Sequence, residues 1–337
     1  MKKLIAFSMI VVLSGTLVIT GAFAGGAGDK STQPVVLKLS HSQAEDLVIH
    51  KVSVSFANAV KERTNGAVKI DVYSSSQLGG ERDNVEGLQL GTVDIAYVAT
   101  AVIANFVPNY YLFDAPFLFA DTDSAMAVCD SEIGKGLGQE LHNKLKIRLL
   151  GFMDVGGRNI FGTKPVRTIS DLRGTKIRTM ENNLHMAVFN MLGAQATPMG
   201  WNEVFTALQQ GTIDAAEQAL FGITGNRFYE ICKYIAISNH IYGVNVFIMG
   251  DPAYNKIPPQ YRDIVMEEAW KCVVLERKMA REANEEALGI LKANGCEIST
   301  LNHDELVSRV SPVYTQFAST LPLDLIAKTQ ALLASRR

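Results

Sequence analysis

Two arginines carry the chemistry this chain can do. Arg178 closes the run Lys176-Ile177-Arg178, which reads as the end of a strand, and Arg158 follows the turn at Gly156-Gly157. A guanidinium is planar and permanently charged, so it can donate two parallel hydrogen bonds to a carboxylate, each worth about 1.5–3 kcal/mol once water is excluded. Ligands of open α/β sheets gather at the carboxyl ends of strands, where Arg178 stands. Glu81 and Trp201 each follow a glycine at the start of a helical stripe. Glu81 can accept hydrogen bonds from ligand hydroxyls, and Trp201 can lend a flat apolar wall. The same residues read equally well as a carboxylate balancing a helix dipole and a core tryptophan.

Signatures of turnover are missing. The chain has no GxSxG, no HExxH, no phosphate-binding P-loop and no GxGxxG after a strand, and its six histidines are scattered without metal-ligand spacing. No cofactor and no metal are expected. His240 reads as a structural histidine near a change of strand. The competing class is a secreted lyase or hydrolase with Glu81 as base and His41 or His240 as acid.

The elements that must position these residues are announced by a repeat. LQLGTVDIA at Leu88 to Ala96 returns as LQQGTIDAA at Leu208 to Ala216, and Gly80-Glu81 returns as Gly200-Trp201. In each copy the apolar pairs Val85, Leu88 and Phe205, Leu208 make a helical stripe, and Gly91 or Gly211 stands where a left-handed cap precedes a strand. Two comparable α/β lobes follow, with helix N-termini that can face an anion across a cleft. Around them the pattern predicts strands at Val35 to Ser40, Val68 to Tyr73, Asp94 to Ala99, Leu145 to Asp154 and Thr175 to Thr179. It predicts helices ending near Arg63 and spanning Asn183 to Met191. The stretch Phe106 to Phe119 is too irregular for a regular element. Pro258-Pro259 opens a helical pattern of some thirty residues reaching Asn294-Gly295. At 1.5 Å per residue it spans about 45 Å, enough to brace both lobes.

Bulk properties narrow the setting. At 337 residues, 47% hydrophobic and 20% charged, the chain has an ordinary globular composition with room for two cores. Lys2-Lys3, an apolar run from Leu4 to Phe23 and Ala22-Phe23-Ala24 read as a signal peptide cleaved after Ala24, followed by a flexible leader over residues 25–34. Without Lys2 and Lys3, 30 basic residues face 34 acidic ones, a charge of −4, too mild for a nucleic-acid partner. Cys129, Cys232, Cys272 and Cys296 form no CxxC, and the sequence leaves disulfides and buried thiols equally open.

The runs SSSQLGGERDNVEGLQLGTVDIA, GRNIFGTKPVRTISDLRGTKIRT, LGAQATPMGWNEVFTALQQGTIDAAEQAL and FYEICKYIAISNH, in this order and spacing, span most of Val35 to Gly250. They resemble the solute-binding proteins of tripartite ATP-independent periplasmic (TRAP) transporters of the dicarboxylate-binding type. The resemblance implies a two-lobed α/β periplasmic binding protein fold with hinge strands and a long bracing helix. Residues 35–155 with 244–283 would form domain one, and 156–243 with 284–337 domain two. It places Arg178 on the arginine that binds the ligand carboxylate, Arg158 on a second arginine, Trp201 on an aromatic wall and Glu81 on a polar contact. His41 and Ser42 fall on the loop after the first strand, and Tyr97 joins the first lobe's polar contacts. Gln218 departs from the family's Glu-Asn-Pro run. Ala99 and Val102 stand where sialic-acid binders carry charges. The expectation is a periplasmic monomer that captures a small carboxylate, a uronate or aldonate before a C4-dicarboxylate, and passes it to the TRAP membrane permease. A ligand-sensing role shares the fold.

Overall fold

The computed structural model describes residues 33–336, so the signal peptide and its cleavage site lie outside the described residues. Ten strands are present in this span: β1 (Val35–Ser40), β2 (Val68–Tyr73), β3 (Ile95–Ala99), β4 (Ile147–Gly162), β5 (Lys176–Thr179), β6 (Gln195–Pro198), β7 (Ala215–Ala219), β8 (Tyr234–Ile237), β9 (Tyr242–Gly250) and β10 (Glu297–Thr300). Their main order is β2-β1-β3-β9-β4-β7-β5-β6, with β8 paired to β4 and β10 to β8.

The repeat in the sequence is a repeat in space. Helices Glu81–Leu90 and Trp201–Gln209 start 120 residues apart, behind Gly80 and Gly200. Gly91 and Gly211 both take positive φ, at 76° and 70°, a conformation that costs glycine little and other residues more. β3 and β7 follow at the same offset, and each runs parallel to a neighbour, giving the orders β2-β1-β3 and β6-β5-β7. One aspartate seals each copy: Asp94 Oδ2 accepts the Lys38 N–H at 2.9 Å, and Asp214 Oδ2 accepts the Lys176 N–H at 3.1 Å.

β4 joins the two copies. Its first part pairs antiparallel with β9 through Gly157, and its last residues, from Arg158 onward, pair with β7 and then β8. At 16 residues it is longer than the sequence pattern suggested, because both of its halves are buried and neither shows alternation. The register slips between Asp154 and Gly156, where Gly156 has φ 86°. A Cβ there would meet Asn284 Nδ2 at 2.5 Å, so the long helix approaches this bend too closely for a side chain.

That helix, Pro259–Ala293, has 35 residues and spans about 52 Å. It packs on β4, on helix Val48–Arg63 and on the short helix Leu220–Gly225. Asn284 ties them: its Oδ1 accepts the Phe221 N–H at 3.2 Å and its Nδ2 donates to the Val155 carbonyl at 3.2 Å. The irregular aromatic stretch contains a 3-10 helix, Pro108–Asp114, whose Tyr110 and Phe113 are fully buried. The tail touches both halves. β10 extends the second copy beside β8, whereas helix Leu323–Ala334 packs on Thr122–Cys129 and Pro108–Asp114. All four cysteines are buried and unpaired.

Candidate functional site

A cavity opens where the two copies face each other. Each contributes the same parts: the loop after its first strand (Ser42; Met180), the end of its last strand (Ala99; Gln218) and the helix start (Glu81; Trp201). The space between them, open solvent at the mouth included, is about 790 Å³. Seven of the eight expected residues line it: Arg178, Arg158, Trp201, Gln218, Glu81, Ser42 and Tyr97.

His41 is the exception and a correction. It is fully buried beneath the cavity, its Nε2 3.3 Å from His50 Nδ1 and its Nδ1 accepting the Gln43 N–H at 3.3 Å. Burial and the neighbouring His50 pull its pKa down to about 4, so the ring is neutral at pH 7. His41 directly follows the buried end of β1, and the cavity lining begins only at the next residue, Ser42.

The two arginines have separate tasks. Arg158 is buried against Glu217: Nε and Nη2 donate to the two carboxylate oxygens, Nη2 also donates to the Glu217 carbonyl at 3.0 Å, and Nη1 donates to Gln218 Oε1 at 3.0 Å. Its fork is occupied by Glu217 and Gln218. Arg178 is equally buried, yet only its Nε is engaged, donating to the Met199 carbonyl at 2.9 Å. Nη1 has no hydrogen-bond partner and stands 3.9 Å from Glu217 Oε1, beyond bonding distance. Burial, opposed by Glu217 and reinforced by the like charge of Arg158, brings the Arg178 pKa down to about 10. It remains a cation at neutral pH. Trp201 lies 5.5 Å from this guanidinium and edge-on to Phe228 at 5.2 Å, so one ring serves both as wall and as core.

Glu217 is the functional residue that the sequence reading missed. It is fully buried in β7; burial works to raise its carboxyl, but the Arg158 charge and the nearby His240 outweigh it and hold it below the usual carboxylate range. His240 Nε2 is 3.5 Å away, which is electrostatic contact rather than a good hydrogen bond. Its Nδ1 pairs with Ser238 Oγ at 2.9 Å, and burial lowers its pKa, so it is a neutral structural histidine. The signal for Glu217 was present: a lone charge among alanines in Ala215–Ala219 demands a buried counterion.

Across the cavity, Glu81 accepts from Ser42 Oγ at 3.2 Å and from the Ala99 N–H at 2.9 Å. Burial raises its carboxyl, partly offset by those two donors. Gln218 Oε1 is committed to Arg158 and to the Ala219 N–H. Gln43, Asn202 and Asn245 also line the cavity. Asn202 had a sequence signal, its place beside Trp201 at a helix start. Asn245 had none, because only the pairing of β9 with β3 and β4 brings it to the floor.

Residues 39–320 match the family described as bacterial extracellular solute-binding protein, family 7. A solute-binding protein of Verminephrobacter eiseniae is 34% identical over 78% of this chain and 79% of its own. The sugar-acid-binding protein of Advenella mimigardefordensis, solved with galactonate, superposes with a TM-score of 0.87 at 28% identity, covering 90% of this chain and 99% of that one. A TRAP periplasmic solute-binding protein of a Polaromonas species, bound to D-erythronate, superposes at 0.84 with 31% identity over 88% and 98%. The chain therefore belongs to family 7 of the bacterial extracellular solute-binding proteins, the dicarboxylate-binding type of the TRAP transporters, and is a binding protein rather than an enzyme.

Proposed function

We propose that this protein captures a hydroxylated monocarboxylic sugar acid, an aldonate or uronate, with Arg178 on the carboxylate and the hydroxyls on Glu81, Ser42 and Tyr97. One observation carries this reading: of the two cavity arginines, Arg158 is paired with the Glu217 carboxylate and bonded to Gln218, while Nη1 of Arg178 has no hydrogen-bond partner. One acid group is thereby matched by one available cation, and a second would face the Glu81 carboxylate. The galactonate and erythronate held by relatives support the class.

A C4-dicarboxylate is the competing ligand, since a Shewanella oneidensis relative with a TM-score of 0.84 holds succinate. Titration calorimetry with D-galactonate, D-glucuronate and succinate decides between them. A sugar acid should bind at least about tenfold more tightly than succinate, a difference of roughly 1.4 kcal/mol; the reverse order removes the proposal.

We further infer that the protein works in the periplasm as a monomer, after cleavage behind Ala24, and delivers its ligand to the TRAP permease. Two lobes, residues 35–155 with 244–283 and residues 156–243 with 284–337, would close on the ligand about β4 and β9. Closure is favoured only by contacts the open form lacks, so the ligand must touch both sides.

A further inference from the structure

Behind the cavity lies a buried polar cluster that contributes nothing to its lining. Asp114 ends the 3-10 helix Pro108–Asp114, Asn182 precedes the helix Asn183–Met191, and His185 lies in that helix's first turn; all three are at most 2% exposed. Asp114 Oδ2 accepts from Asn182 Nδ2 at 2.9 Å, and Asp114 Oδ1 lies 3.0 Å from His185 Nε2. Asn182 Nδ2 also donates to the Ala101 carbonyl at 3.0 Å, in the helix Thr100–Ile103 that follows β3. Asn182 Oδ1 accepts the N–H groups of Leu184 and His185, at 2.9 and 3.2 Å. Nearer the surface, Asn105 Nδ2 donates to the Glu181 carbonyl at 2.7 Å.

The residue type at 182 is informative. Capping a helix needs only an acceptor, which Asp, Ser and Thr supply much as Asn does. A side chain that caps with its oxygen and also donates to a buried carboxyl group needs both halves of an amide. The second task ties distant parts of the chain, since Ala101 and Asp114 lie 81 and 68 residues before Asn182. What these bonds join is the two walls of the cavity. Ala99 and Val102, on either side of Ala101, line it from the first copy; Met180 and Glu181, just before Asn182, line it from the second, and Arg178 stands two residues before Met180. The bonds need no ligand, so this side of the cavity is set before one arrives. A site ordered in advance costs a ligand less to occupy, and affinity falls in proportion as the competent arrangement is depopulated.

We propose that Asn182 and Asp114 are positioning residues for the ligand cavity: a buried strap that holds the loop after β5, and with it the Arg178 end of that strand, against the helix after β3. Only the binding arm of the test depends on the sugar-acid reading.

Asn182→Ser keeps a helix cap and gives up both bonds of Nδ2. Hydrogen exchange of the ligand-free mature chain should then be about tenfold faster at residues 99–106 and 178–182, with 186–191 unchanged. Wild-type exchange in both segments overturns the proposal whatever the ligand, and so does faster exchange confined to the helix, which would make Asn182 a cap alone. Titration with D-galactonate tests positioning. Asn182→Ser should bind about tenfold more weakly than wild type, as for one hydrogen bond. Val188→Ala, which only empties space on the buried face of the same helix, should lower the melting temperature and leave affinity unchanged. Asn182→Asp sets two carboxyl groups face to face and should bind more weakly still; adding Asp114→Asn returns a donor between them and should bring affinity back at least to that of Asn182→Ser. Unchanged affinity of Asn182→Ser, an equal loss in Val188→Ala, or no recovery in the double variant overturns the positioning role. If the wild type takes no galactonate, the sugar-acid reading fails, while hydrogen exchange still decides the strap.

Discussion

Replacing Glu217 by Gln tests the division of labour between the two arginines. The side chain of Arg158 is 4% exposed and that of Glu217 0%. The substitution leaves the guanidinium buried among Glu217's former contacts without a counterion. Breaking a buried pair from one side costs about 3–5 kcal/mol, because the surviving charge is stranded. With roughly 2.1 cal/mol/K of unfolding entropy per residue over some 300 residues, the melting temperature should fall by about 5–8 °C. The pH dependence has a definite sign. Glu217 is held below its ordinary 4.5 in the fold, so its contribution is complete above that value and is lost as pH falls toward the folded pKa. Thermal unfolding followed by circular dichroism should therefore show a large gap between wild type and Glu217→Gln at pH 7 that narrows below pH 4. Removing both charges with Arg158→Met and Glu217→Leu should recover most of the loss. An unchanged melting temperature at pH 7, or a gap that widens in acid, would refute the reasoning.

Other perturbations test other contacts. A Cβ on Gly225 would lie 1.8 Å from Cδ2 of Leu47, a cavity-lining residue, so Gly225→Val should cost about 1–3 kcal/mol of stability and, by displacing Leu47, weaken ligand binding. Leu47→Ala in the same chain should restore both, and a failure of this rescue in calorimetry counts against the contact. Burial raises Asp154 from 3.8 to about 6, a cost that is absent below pH 4, grows as pH rises to 6 and then stays near 3 kcal/mol. Asp154→Asn should therefore match wild type in urea unfolding at pH 3.5 and exceed it at pH 7. A difference independent of pH would show that Asp154 does not carry this burden.

The parts of the fold that the sequence made legible are those written in local pattern. The repeat gave both helices, both glycine caps and both following strands, because helical stripe and positive-φ glycine are short-range signals. β4 was underestimated because a strand buried on both faces carries no alternation. In the site, Arg178, Glu81 and Trp201 were readable from their place at strand ends and helix starts. Arg158 was readable as a cavity residue, but its pairing with Glu217 was not, since that depends on the antiparallel pairing of β4 with β7. Of the two neighbours on the loop after β1, Ser42 lines the cavity and His41 packs beside His50, a difference set by packing that the sequence does not spell out.

The central claim is that the Arg178 guanidinium holds the ligand's acid group. A thermodynamic cycle measures it most directly: wild type and Arg178→Ala, each titrated with D-galactonate and with its uncharged primary amide. Two charge-assisted hydrogen bonds predict a coupling of at least about 2 kcal/mol between the arginine and the carboxylate, or some thirtyfold. A coupling of only a few tenths of a kcal/mol would contradict it, because the acid group would then be bound elsewhere.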